Sequence, residues 1–444
     1  MRDHPFPSSP GYWRSPVRGP RFTALLGLVL LGGVTVLFVT GLLSYAAYNP
    51  NLSAVNDKTP DKGLLGFYLF SWPTDPPWLY RLTQGVHVTL GITLIPVLLA
   101  KLWSVVPKLF ALPPVRSLTH AVERLSLLLL VGGALFEFVT GVLNVQLDYL
   151  FPGSFYPLHF YGAWVFFAAF VTHVALRLPE ALRQVRALRA GRRGPGEAEV
   201  EGREVETGAL VAPRPAEPPE PPEPPEPPEP PEPREPSEPT VSRRGAFGLV
   251  GGGSLLLLAT TAGRSFDGPL RETALLAPHG GPDPGSGPGG FQINKTAAYA
   301  GIRARDTDEG AWRLVLVGRR GTLRLSRPEL LQRPLYSAAL PIACVEGWST
   351  SDQWWRGVRL RDLAALVGHD VPPDVLVESL QHRGAFRRAA LRANQVGDAR
   401  SLLALTVNGE DLNPDHGYPA RIIVPAAPGV LNTKWVARMT FGDL

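Results

Sequence analysis

The stretch from Leu82 to Ala100 reads LTQGVHVTLGITLIPVLLA, held between Arg81 and Lys101 and carrying a single imidazole, His87. Three further runs share its character. Phe22 to Tyr48 is uncharged, Leu125 to Leu147 is broken only by Glu137, and Ser154 to Leu176 ends at Arg177. Each is close to the ~20 apolar residues that cross a bilayer as a helix. Core helices of soluble proteins rarely run so long without a charge. The reading is therefore a short tail at 1–20 and an all-α bundle of four membrane spans at 21–180.

Composition agrees and excludes other classes. Of 444 residues, 45% are hydrophobic and 19% charged, below the roughly 25% charged of a soluble chain. That argues against a purely soluble or purely disordered protein. The length allows two or three domains. The net charge of +5 is small, and we read it as membrane-flanking Arg and Lys rather than a nucleic-acid surface. The one cysteine, Cys344, excludes an intrachain disulfide, a Cys-ligated iron–sulfur cluster, a CxxCH haem site and a Cys zinc site. Methionine occurs only as Met1 and Met439, so a thioether axial ligand in the spans is excluded too. Any redox cofactor must be held by His, by Cys344 or by non-covalent contacts.

Lys and Arg asymmetry sets the orientation. Arg2, Arg14, Arg18 and Arg21 precede the first span, Lys101, Lys108 and Arg116 fill the second connection, and Arg183, Arg186, Arg189, Arg192 and Arg193 follow the fourth span. The 148–157 connection has neither Lys nor Arg. Both ends of the bundle are thus expected in the cytoplasm.

The histidines in this half point to a cofactor. His87 lies in span two, His120 before span three, and His159 and His173 in span four. His159 and His173 are roughly 21 Å apart along one helix and within about 40° of one face, a spacing that suits two stacked haems. An ionisable group inside a span is a functional-site hypothesis by default. Depth pairs His87 with His159 on the outer side and His120 with His173 on the inner side. His120 falls outside its apolar run, which makes the inner pair the weaker one. On helix count and histidine placement, residues 20–180 resemble the four-helix cytochromes b that serve bacterial oxidoreductases. The resemblance implies one or two b-type haems exchanging electrons with the quinone pool or another membrane carrier. Span one lacks a histidine, a departure from some members. Glu137 is read either as a structural carboxylate or as a proton acceptor beside a quinol site.

A linker at 181–240 follows, basic and then Glu-Pro-Pro repeats from Ala216 to Pro239. Proline fixes φ and removes the backbone donor, so this is an extended polyproline spacer. At 241–264, Ser242-Arg243-Arg244-Gly245-Ala246-Phe247 precedes a Gly-rich apolar run to Ala262, a fifth hydrophobic helix. It resembles a twin-arginine export signal, internal in position and with Ala246 and Phe247 departing from the usual pattern. That implies the twin-arginine translocase as a partner in export. The alternative is an ordinary fifth span. Both put the rest outside the cytoplasmic membrane.

Residues 265–444 read as an α+β domain. After a Gly/Pro loop at Gly280–Gly290 come short runs at Trp312–Val317, Thr322–Leu325, Val375–Leu380, Leu402–Val407, Arg421–Val424 and Val436–Phe441. Asn408-Gly409 signals a hairpin, and Leu360–Val367 a short amphipathic helix. Taken alone, Cys344 would be a small buried hydrophobe. Its surroundings reverse that. Cys344 with Gly347, then Trp355-Arg356-Gly357-Val358, Asp362-Leu363, His416-Gly417-Tyr418-Pro419-Ala420-Arg421, Gly429 and Lys434-Trp435 resemble, in order, the segments of the sulfite oxidase family that hold a mononuclear molybdopterin cofactor.

The resemblance implies Cys344 as the molybdenum ligand, a role suited to a soft thiolate. It implies Arg421 and Lys434 as phosphate anchors, with Gly429 beside them. His416, Asn294 and Ser379 would bond the pterin. Leu431 stands where relatives often carry Arg or Lys, and the family's sulfite-binding Arg is not evident after the Cys motif. The expectation is a multi-pass membrane oxidoreductase with an extracytoplasmic catalytic domain acting on a small or protein-borne oxo-transfer substrate. Its rivals are a molybdopterin enzyme on a haem-free anchor and a receptor that keeps the fold without metal.

Overall fold

A computed structural model describes residues 19–52, 55, 70–109, 117–145, 155–190, 241–266, 268–276, 291–293, 295–382 and 387–444. Arg2, Arg14, Arg18, the Glu-Pro-Pro repeats, the 280–290 loop and Asn294 lie outside the described residues.

Among the described residues, five helices are long and apolar enough to cross a membrane. They are α1 (Pro20–Ala47), α2 (Leu79–Leu109), α3 (Leu118–Asn144), α4 (Tyr156–Ala190) and α5 (Arg243–Thr261). Leu, Val and Phe side chains such as Leu99, Leu125, Val139, Val165 and Leu255 point outward, as lipid-facing helices require. Helices α1 with α2 and α3 with α4 form two hairpins, and α5 lies along α2. Helix α3 starts earlier than its apolar run. The Ser117 hydroxyl accepts from the His120 amide at 3.1 Å and satisfies an otherwise orphan donor. His120 is thereby in the first turn of the helix and not below it. Likewise α4 continues past Leu176, through the positions of Arg183, Arg186 and Arg189.

The C-terminal domain contains two sheets. In the first the order is β2 (Gly321–Leu325), β1 (Leu314–Gly318), β10 (Val436–Phe441), β5 (Val375–Ser379), β6 (Arg388–Leu391), with β1 and β10 parallel. In the second it is β3 (Tyr336–Leu340), β4 (Gln353–Arg359), β7 (Leu402–Val407), β8 (Glu410–Asp411), with β9 (Arg421–Ile423) on β7. Short helices α6 (Arg327–Leu331), α7 (Leu360–Leu366) and α8 (Ala393–Gly397) complete it. The apolar runs become strands and Leu360–Leu366 a helix. Strands β3, β4 and β6 were not anticipated. In β4 the buried positions are Gln353, Trp355, Gly357 and Val358, a mixture whose register shifts at Arg356/Gly357 and leaves no apolar alternation to read. Asn408 and Gly409, at φ 52° and 90°, turn β7 into β8.

The domain is seated on one end of the bundle. Asn49, just past α1, donates to the Ala390 carbonyl at 3.0 Å and to Gln395 Oε1 at 2.8 Å. Trp72 Nε1 donates to the Ala426 carbonyl at 2.7 Å, and Arg400 pairs with Asp75 at 2.7 Å. Ala46, Ala47, Tyr48, Trp72 and Tyr80 share a small core with Ala343. The starts of α1 and α5 meet at the other end, where Phe22 lies 4.8 Å from Phe247.

Candidate functional site

Two sites face each other across this junction. The first is built on the loop between β3 and β4. There Cys344 is buried; its carbonyl accepts from Gly347 N at 3.1 Å, and its amide donates to the Trp348 carbonyl at 2.8 Å. Gly347 closes the turn at φ 86°, a conformation that favours glycine. Gly429 N donates to the Ala343 carbonyl at 2.7 Å and ties the second loop to the first. Burial, then the negative charge of Glu346, pushes the Cys344 thiol well up; binding to a soft metal would supply the opposing charge.

Beside this loop lies a cleft lined by Gln292, Lys295, Trp348, Gln381, His416, Arg421, Gly429, Asn432, Thr433 and Lys434. Arg421 is fully buried. It donates to the His416 carbonyl at 3.0 Å and the Asn432 carbonyl at 3.3 Å, and its Nε has no partner. Burial lowers it to about 9. Lys434 Nζ donates to the carbonyls of Lys295 and Asp415, both at 2.8 Å. Burial and then the nearby Arg421 cation hold it well below the usual lysine value, against a smaller pull upward from Asp415. Asn432 Nδ2 and Thr433 Oγ1 are buried without partners. Confined cations and unsatisfied polar groups in one cleft fit an anionic ligand rich in acceptors, which is what a pterin phosphate would be.

His416 is fully buried and stacked on Phe291 at 3.7 Å. Ser379 stands one step back: its hydroxyl donates to the Lys434 carbonyl at 2.8 Å and accepts from Gln381 N at 3.2 Å, so it shapes the cleft wall. Leu431 points into the core, away from the cleft. Gln292, Gln381, Asn432 and Thr433 were missed in the sequence. The polar pair Asn432-Thr433, set between an apolar run and Lys434, was the available signal. Arg264, at the end of α5, was missed as well. It is buried, its three guanidinium nitrogens lack hydrogen-bond partners, and its charge reaches Glu346 and Cys344.

The second site is a cavity between the two hairpins. His87 and His159 face each other there, ring centroids 6.2 Å apart and planes at 89°. A ligating imidazole nitrogen sits about 2 Å from its metal and the ring centre about 1.1 Å further, so two rings holding one metal from opposite sides would put their centroids about 6.2 Å apart. Each Nδ1 is engaged, His87 by Thr40 Oγ1 and the Leu37 carbonyl, both at 3.0 Å, and His159 by Thr140 Oγ1 at 2.9 Å and Glu137 Oε2 at 3.1 Å. This leaves Nε2 of each ring as the nitrogen for an axial bond. The arrangement could hold a planar metallocycle such as haem, and the oriented Nδ1 atoms are the supporting contacts such ligation needs. His120 and His173 do not line this cavity.

The signal for Thr40 and Thr140 is an internal repeat. Gly32-Gly33 and Phe38-Val39-Thr40-Gly41 recur one hundred residues later as Gly132-Gly133 and Phe138-Val139-Thr140-Gly141. The contacts repeat too. A Cβ on Gly41 would meet His87 Cε1 at 3.3 Å, and one on Gly141 would meet His159 Cε1 at 3.4 Å; Gly33 lies on Leu94 and Gly133 on Phe166, each seven residues beyond the hairpin's histidine. By the same correspondence, the places of His120 and His173 are held in the first hairpin by Pro20 and Lys101. The repeat therefore builds one facing pair.

Comparison with known proteins bears on the first site. Residues 300–443 match the family model described as oxidoreductase molybdopterin binding domain. Mitochondrial sulfite oxidase of Homo sapiens is 31% identical over 160 residues, 30% of this chain and 29% of that protein. The uncharacterized oxidoreductase YuiH of Bacillus subtilis (strain 168) is 32% identical over 117 residues, 26% of this chain and 58% of that protein. The NAD(P)H nitrate reductase of Hordeum vulgare is 38% identical over 94 residues, 19% of this chain and 10% of that protein. The chain thus spans under a third of the length of the human sulfite oxidase it matches. Cys344, Arg421, Gly429 and Lys434 lie inside the matched span, so that the C-terminal part of this chain matches an oxidoreductase molybdopterin-binding domain and is similar to part of mitochondrial sulfite oxidase.

Proposed function

We propose that the chain is a membrane-anchored molybdopterin-dependent oxidoreductase fused to its own cytochrome b. Its substrate is a small or protein-borne oxo compound, and its electrons pass singly through a b-type haem to or from the quinone pool. The observation that carries the coupling is a shared wall. The cavity holding His87 and His159 is bounded by Val345 and Val430, the immediate neighbours of Cys344 and Gly429.

When bound, the molybdenum–pterin group supplies a metal that changes oxidation state by two and exchanges an oxygen atom with substrate. The residues of the chain do the holding. Cys344 offers the thiolate, and Arg421, Lys434 and Lys295 offer positive charge to the phosphate. Asn432, Thr433 and Gln381 offer bonds to the pterin, and His416 is fixed by its stack on Phe291. Trp348 and the packed end of the bundle keep water from the Cys344 loop. In the membrane half, His87 and His159 would hold one haem through their ring nitrogens. Arg243 and Arg244 start a helix that ends at the Cys344 loop, and we read them as the export signal that delivers the domain to the outer side. The Lys and Arg asymmetry of the connections supports that side.

The test is a purified full-length protein assayed for molybdenum and for a reduced-minus-oxidised b-type spectrum, followed by a substrate screen with a reduced viologen donor. Near-equimolar molybdenum and haem is the expected result. Molybdenum without haem leaves a plain anchor, and absence of both leaves a receptor.

A further inference from the structure

We propose that Glu137 is a positioning residue for His159 which makes the two axial positions of the intramembrane site unequal and holds the haem at a lower reduction potential than a symmetric pair would. The proposal rests on the haem reading above.

The internal repeat supplies its own control. In each hairpin the histidine Nδ1 meets a threonine hydroxyl, Thr40 or Thr140; His87 Nδ1 also meets the Leu37 carbonyl at 3.0 Å. In each, the glycine after the threonine lies against Cε1. The second environment adds a group that the first lacks, the Glu137 carboxylate, whose Oε2 lies 3.1 Å from His159 Nδ1. Its other oxygen is buried without a partner, and the side chain lines the cavity.

The surroundings have changed to admit it. The first hairpin packs Leu37 and Leu90 into the bundle core. In the second, the corresponding positions are Glu137 and Gly162, and a Cβ at Gly162 would collide with Glu137 Oε1. An apolar pair in one half is replaced by a carboxylate and the space it needs in the other. A carboxylate that served packing alone would be a costly choice inside a bilayer.

The physical consequence is electrostatic. A carboxylate 3.1 Å from the Nδ1 that Thr140 engages would set negative charge beside the ring, make the imidazole a stronger donor and place that charge near the metal. Iron bound there carries one more positive charge when ferric than when ferrous, so the ferric form gains more. Reduction adds one electron to iron, and no bond is made or broken. Outer-contact hydrogen bonding is one of the means by which proteins set haem potentials.

The experiment uses the full-length protein in detergent. Haem-to-protein ratio is measured first, then the haem is titrated spectroelectrochemically in wild type, Glu137→Gln and Glu137→Leu paired with Gly162→Leu. The paired variant copies the first hairpin, and the Gln variant keeps shape and acceptor without charge. At the wild-type midpoint the ferrous-to-ferric ratio should rise about tenfold in the paired variant, about 59 mV for a one-electron couple. In Glu137→Gln the rise should be smaller. Haem present with an unmoved midpoint in Glu137→Gln and in the paired variant would overturn the role of Glu137 alone. A wild type without haem would overturn the haem site and this proposal with it.

Discussion

The side-chain amide of Gln84 donates to the backbone carbonyl of Val345, which joins the residue after Cys344 to a position one turn before His87 on α2. Val88, on the next residue of that helix, lies against Gly347. The loop carrying the thiol is thus seated on the helix carrying the imidazole. For electrons, that is a short covalent and hydrogen-bonded route between the two candidate sites.

Gln84→Leu should keep both cofactors and lower the rate of electron exchange between them. The hydrogen bond itself is worth only about 1 kcal/mol, so global stability should move little. Single-turnover haem absorbance after rapid addition of substrate to reduced protein measures it. An unchanged rate would show that the route lies elsewhere.

Cys344→Ser should abolish turnover while the domain stays folded, because a hydroxyl is a harder and weaker ligand for molybdenum than a thiolate. Metal analysis and a circular dichroism spectrum accompany the activity assay. Full activity in the variant would remove Cys344 from the metal.

His87→Ala and His159→Ala should each remove the haem of the facing pair, since the two rings serve one site. Thr40→Val and Thr140→Val should retain it but loosen ring orientation, at the tenfold or greater cost typical of lost supporting contacts. Haem-to-protein ratios decide this. A haem that survives His87→Ala and His159→Ala but is lost in His173→Ala would move the site to the inner pair.

The cofactor-free domain should become more stable as pH rises from neutrality towards 10. Folded Lys434 is held well below its ordinary value of 10.5 and Arg421 is lowered to about 9. In that window the unfolded chain binds more protons than the folded one, so stability rises with pH. Thermal unfolding of the cofactor-free protein across pH 7–10 should show the slope. In Lys434→Met the slope should flatten, and the neutral-pH stability should not fall. A slope unchanged in the variant would assign it to other groups.

Arg243→Lys with Arg244→Lys should block export of the C-terminal domain and leave the first four spans inserted. Protease added from the outer side reads this out. An unchanged accessible fraction would mean that the pair acts through charge alone.

Much of the architecture is legible in residue order. The spans, the fifth hydrophobic helix, most strands and the Asn408-Gly409 turn follow from length, hydropathy, periodicity and turn chemistry, all properties of neighbouring residues, whereas Cys344 stood out only through the family resemblance of the motifs around it. Strand β4 was illegible because its buried positions are Gln353, Trp355, Gly357 and Val358. Gly357 is needed there because a side chain would strike the Leu403 carbonyl of β7, a requirement set by a partner strand and not by the segment itself.

The anchors Arg421 and Lys434 could be named from the chain only through the resemblance of their motifs to the sulfite oxidase family. That burial has taken them out of water, and that among the described residues Asn432 Nδ2 and Thr433 Oγ1 stand unsatisfied beside them, is a property of the closed cleft. The sequence by itself determined which residue types were available to hold each cofactor. Depth along the spans already paired His87 with His159; tertiary structure alone decided that Glu137 joins one ring and not the other, and that Gln84 reaches Val345. Those partners stand up to 261 residues apart in the chain, and a hydrogen bond is decided by distance and direction in space, which order along a chain does not encode.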